Sequence, residues 1–84
     1  MITSIWAKKK YMSKLFSSKE IASVLSLLGF THISQKGSHG KFKNSAGKTV
    51  ILPMPKKEIP EGTLRSILRQ AGIDKDEFKK LLGN

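Results

Sequence analysis

Apolar positions recur every three or four residues in three stretches of the chain and every second residue between the first two, separating helix-forming from strand-forming segments. In the first helical stretch Ile21, Val24, Leu25 and Leu28 share a face. Ser17 and Glu20 have the spacing of a capping box just ahead of it, and Gly29 supplies a stop. From Phe30 the period changes to two. In FTHISQK, strict alternation predicts Phe30, His32, Ser34 and Lys36 on one side, with Thr31, Ile33 and Gln35 on the other. Gly37-Ser38 predicts a tight reversal into HGKFKN, where His39, Lys41 and Lys43 oppose Gly40, Phe42 and Asn44. Phe42 is apolar, so its side faces inward. Asn44-Ser45-Ala46-Gly47 has the composition of a second turn, and KTVILP, rich in β-branched residues, reads as a third strand ended by Pro53.

PMPKKEIPEG holds three prolines and is expected to be an irregular surface connection. Helical spacing returns with Leu64, Ile67, Leu68 and Ala71, bounded by Pro60 and Gly72. A last short helix is expected from Asp74, whose D-x-x-E spacing to Glu77 fits a cap, with Phe78, Leu81 and Leu82 facing inward. The order predicts an α+β fold, an α-β-β-β-α two-layer sandwich. Its three-stranded antiparallel sheet carries helices on one face, open solvent on the other, and a short C-terminal helix at the end. The first residues follow neither period, so a flexible N-terminal extension is expected at 1–13 and a folded domain at 14–84.

Charge narrows the function classes. The 84 residues carry 16 Lys and Arg against 6 Asp and Glu, a formal net charge of +10. On one small domain this excess favours polyanions: RNA, DNA or an acidic protein. With no cysteine, disulfide scaffolds, thiolate metal sites and cysteine nucleophiles are excluded. No stretch approaches the roughly 18 apolar residues of a membrane span, and Lys8, Lys9 and Lys10 stand where a signal peptide needs its apolar run. A cytoplasmic protein without membrane association is expected.

The two histidines and six scattered carboxylates have no metal-ligand spacing, so neither a metal nor another cofactor is expected. G-x-S-x-G is absent, and GSHG has the wrong spacing for a phosphate loop. His39 remains, next to a Gly-Ser turn and on the side of Lys41 and Lys43. Nearby ammonium groups disfavour a second positive charge on the imidazole, so a neutral base is expected there. Such a base beside phosphate-binding cations suits RNA cleavage. RNA brings its own nucleophile, the 2′-hydroxyl, so a protein need only remove that proton, hold the phosphate and stabilise the phosphorane. The residues alone equally allow a His39 that is solvated or only contacts phosphate. They also allow Lys36, Lys41, Lys43 and Lys48 to be a solvated face. His32 is expected to be structural, and Arg65 and Arg69, one turn apart, to be exposed helix charges.

Taken together, SSKEIASVLSLLGF, QKGSHGKF, GKTVILP and IPEGTLRSILRQAGI resemble the HicA (YcfA-like) toxin family, over about Lys14 to Leu82. The resemblance implies a fold like a double-stranded-RNA-binding domain (dsRBD-like) and endonuclease activity on single-stranded mRNA without a cofactor. It makes His39 the catalytic histidine, presented by a turn of Gly37 and Ser38; beside it, the charge pattern gives Lys36, Lys41, Lys43 and Lys48, with Ser38 of the turn, as the expected RNA-binding residues. The resemblance further implies a HicB-type antitoxin as partner, the toxin being a monomer when free and part of a hetero-oligomer when neutralised. Gly40 departs from the family, where a second histidine or a bulkier residue is common. The alternative is a non-catalytic RNA-binding module of the same dsRBD-like fold.

Overall fold

The structure is a computed structural model that describes residues 15–83. The extension expected at 1–13 lies outside the described residues. The elements in chain order are α1 (Ser18–Leu27), β1 (Thr31–Lys36), β2 (His39–Lys43), β3 (Thr49–Pro53), α2 (Glu61–Ala71) and α3 (Lys75–Leu82). This is the expected α+β order.

Local chemistry fixes the element ends. Ser17 Oγ accepts the Glu20 backbone N–H at 3.0 Å, and Glu20 Oε1 accepts the Ser17 N–H at 2.8 Å, completing the capping box of α1. Asp74 Oδ1 accepts the Glu77 N–H at 2.8 Å and caps α3. Between β2 and β3, Asn44 Oδ1 accepts the N–H groups of Ala46 and Lys48, so a side chain imitates the backbone of a turn.

The strands form one antiparallel sheet in the order β1-β2-β3. Phe42, Val50 and Leu52 point from its inner face into a core shared with Ile21, Val24 and Leu25 of α1 and Leu64, Ile67 and Leu68 of α2. Both helices pack on β3, and α3 closes the far side against α1 and α2. Phe78 anchors α3. It is fully buried and meets Phe16 edge to face, with ring centroids 5.0 Å apart and planes at 82°.

Two expectations need correction. The first is the alternation in β1: the pairing runs His32 to Phe42, then Ser34 to Lys41, so a bulge falls between His32 and Ser34. Ile33 is the extra residue. Paired residues in an antiparallel ladder share a face, so Ser34 and Lys36 join Lys41 and His39 on the outer face, opposite His32. The second concerns one residue of the proline-rich connection, which is irregular and largely exposed as expected except at Ile59. Ile59 is buried and its N–H donates to the Phe16 carbonyl at 2.8 Å, while Lys56 and Ser18 exchange three hydrogen bonds. Burying Ile59 removes an isoleucine side chain from water, worth roughly 2 kcal/mol. The connection is therefore pinned to the start of α1.

Candidate nucleic-acid interface

The outer face of the sheet is three rungs deep. Register places Lys36, His39 and Pro53 on one rung, Ser34, Lys41 and Ile51 on the next, and Thr31, Lys43 and Thr49 on the last. Same-face neighbours along a strand lie roughly 7 Å apart, and partners across a strand pair have Cβ atoms about 5 Å apart. His39 thus stands across from Lys36 and one step from Lys41. All three are exposed. A depression of about 330 Å³ is lined by Ser34, Gln35, Lys36, His39, Lys41 and Ile51.

No carboxylate opposes these cations. The chain from Ile21 to Lys57 contains no Asp or Glu, and the six acids are Glu20, Glu58, Glu61, Asp74, Asp76 and Glu77, none of them on a strand. Glu61 is engaged on the helical side, accepting from Lys75 Nζ at 2.8 Å with Arg65 Nε at 3.7 Å. Among the described residues no group of three or more His, Asp and Glu gathers as a metal site would require. Nor is any described helix long and apolar enough to cross a membrane.

The turn that presents His39 is a two-residue hairpin loop. Lys36 pairs with His39, and Gly37 takes φ of +59°, the left-handed region that glycine occupies without strain. Ser38 O accepts the Met54 N–H at 2.8 Å, so the turn is tied to the end of β3. His39 leaves the turn pointing outward, because the alternation in β2 sends Gly40 and Phe42 inward, where both are buried.

The expected site residues divide. Lys36, His39, Lys41 and Lys43 come together on one face, and Lys36 does so only because of the bulge. Lys48 does not join them. A Cβ built on Gly72 would stand 2.8 Å from Lys48 Nζ, so this ammonium lies over the C-terminal end of α2, where cations are favoured by the helix dipole. Ser38 sits in the turn, with its carbonyl already engaged. His32 lies on the inner side, its ring stacked on Phe42 with centroids 4.7 Å apart and planes at 13°. Its Nε2 is 2.9 Å from Gln35 Oε1.

Gln35 and Gly40 carry structural weight that residue type alone does not signal. Gln35 Nε2 donates to the Gly37 carbonyl at 3.0 Å and to the Met54 carbonyl at 2.9 Å. A Cβ on Gly40 would come within 2.8 Å of Met54 Sδ, 2.9 Å of Gln35 Oε1 and 3.0 Å of His32 Nε2. The missing side chain at Gly40 thus leaves room for this cluster.

No curated protein matches the chain. A family model described as "HicA toxin of bacterial toxin-antitoxin" matches residues 18–73, from the first residue of α1 to just beyond the glycine that ends α2. That span takes in the whole sheet, the Gly-Ser-His turn and the cationic face, and the chain belongs to the HicA toxin family.

Proposed function

We propose that this toxin is a metal-independent endoribonuclease that cleaves single-stranded mRNA on the outer face of its sheet. His39 is the proton-transfer group, and Lys36, Lys41 and Lys43 hold phosphate. The observation that carries this reading is an exposed imidazole on a face that gathers three lysines and no carboxylate.

His39 takes the proton from a 2′-hydroxyl as that oxygen attacks the adjacent phosphorus. The new O2′–P bond forms while the P–O5′ bond breaks, leaving a 2′,3′-cyclic phosphate and a 5′-hydroxyl. The departing oxygen receives a proton from the imidazolium just formed or from solvent. Lys36 and Lys41 flank His39 and stabilise the charge that builds on the phosphorane oxygens. The depression beside His39, lined by Lys36 and Lys41, receives the sugar and phosphate of an unpaired strand. A HicB-type antitoxin neutralises the toxin by covering the same cations, a contact that competes directly with RNA.

The test is incubation of a single-stranded RNA, in chelator, with wild-type protein and with His39→Ala. Cleavage by the wild type alone, with similar RNA affinity in both, is expected. Equal product from both proteins removes His39 from the mechanism, and binding without cleavage by either favours the non-catalytic module. The same strand made entirely of DNA should survive, since it lacks the 2′-hydroxyl.

A further inference from the structure

We propose that Gln35 is the positioning residue for His39, and that His32 in turn orients Gln35; this rests on His39 being the proton-transfer group of the reading above. The hairpin that presents His39 needs such a brace. Every residue of β1 is exposed, and no helix packs closely on this strand. A two-residue turn at the end of an uncovered edge strand hinges easily unless something ties it down.

Gln35 ties it from the inner side. Both of its amide hydrogens are used, on the Gly37 carbonyl in the turn and on the Met54 carbonyl beyond β3. Two carbonyls cannot face an amide oxygen, so the orientation of the Gln35 amide is determined and its Oε1 must point at His32. An amide oxygen only accepts, so His32 Nε2 carries a hydrogen and donates it. The His32 ring is fixed by stacking on Phe42, a core residue. A continuous path therefore runs from the core through Phe42, His32 and Gln35 to Gly37, two residues before His39. Met54 closes the ring, because its N–H donates to Ser38 while its carbonyl accepts from Gln35. Glycine at 40 suits the arrangement, since a Cβ there would force Met54 Sδ and Gln35 Oε1 to shift and would lie tight against His32 Nε2.

Gln35 borders the outer depression, but its amide reaches behind the turn to the Gly37 and Met54 carbonyls and acts through backbone geometry. Its loss should lower the rate of the chemical step and spare RNA binding, because a displacement of about 1 Å in a catalytic group can cost on the order of 100-fold.

The test uses the full chain. Wild type, Gln35→Met, His32→Phe and Gly40→Ala are compared in single-strand RNA cleavage, with kcat and KM separated, and in amide hydrogen exchange at Met54. Gln35→Met keeps the length of the side chain and removes both donors. It should lower kcat by roughly 10- to 100-fold with KM within about twofold, and speed exchange at Met54 by about tenfold. His32→Phe keeps the stack and loses the donor, and should move both readouts the same way by less. Gly40→Ala attacks the cluster from the other side and should resemble Gln35→Met. Unchanged exchange in Gln35→Met means there is no brace, and faster exchange with unchanged kcat means the brace does not serve catalysis; either overturns the proposal. A rise in KM that accounts for the whole loss also overturns it, because Gln35 would then be contacting RNA. Failure of the underlying reading is separately visible: wild type would cut no RNA, or His39→Ala would cut as well as wild type, whatever the exchange rates.

Discussion

The placement of the lysines makes a quantitative prediction about salt. Binding of a single strand falls with salt with a logarithmic slope of about −0.7 per phosphate neutralised. Lys36, Lys41 and Lys43 share the outer face, so three contacts give a slope near −2, and affinity should drop roughly 18-fold between 50 and 200 mM salt. Lys41→Ala removes the central contact, which flattens the slope by about 0.7 and leaves a drop of only roughly 7-fold over the same range. Lys48→Ala should leave the slope unchanged, because the Lys48 ammonium lies over the C-terminal end of α2. The measurement is fluorescence anisotropy of a labelled RNA, with every variant made on His39→Ala so that the strand stays whole. Other exposed lysines add to the absolute slope, so the difference between variants decides. If Lys48→Ala flattened the slope as much as Lys41→Ala, the RNA path would cross the helical layer and the assignment of the outer face would fail.

Three further outcomes concern stability. Phe78→Ala empties a fully buried site against Phe16 and should cost about 3–5 kcal/mol, enough to leave a small domain largely unfolded in urea titrations. Phe78→Leu, which retains most of the volume, should cost visibly less. Ser17→Ala removes one arm of the capping box and should cost about 1 kcal/mol, a fall of about 4–8 °C in Tm. Glu61→Gln breaks a partly exposed ion pair with Lys75 and should change stability by less than about 1 kcal/mol in the same titrations.

Much of the architecture was legible in the residues because local signals agreed with one another. The capping box at Ser17 and Glu20, the glycines at 29 and 72, and the apolar spacing of Leu64, Ile67, Leu68 and Ala71 all appear where they were read. The alternation in β2 placed His39, Lys41 and Lys43 on one face and Phe42 on the other. Long-range contacts left no such signal. Phe16 and Ile59 join the core through a bridge between segments 43 residues apart, and each sits in a stretch without a period to mark it as buried. Lys48 followed a turn, where alternation gives no direction. Gln35 looked like an ordinary polar strand residue, since its three partners come from the turn, from beyond β3 and from the bulged part of its own strand.

The bulge has the largest consequence of these, and its effect follows from the period of a strand. Side chains alternate strictly, so one extra residue sends every later side chain to the opposite face. Without it, Lys36 would lie on the side of His32, while Gln35 would face outward and lose the carbonyls it now bridges. With it, Lys36 stands across from His39 and Gln35 reaches behind the turn. One inserted position at Ile33 thus supplies the cation beside the imidazole and the brace beneath it. Ile33 itself is left exposed, an apolar residue that packing alone would not put there. Strict alternation would leave it exposed as well, opposite His32, so the bulge re-aims Ser34, Gln35 and Lys36 without bringing out an apolar side chain that alternation would have buried.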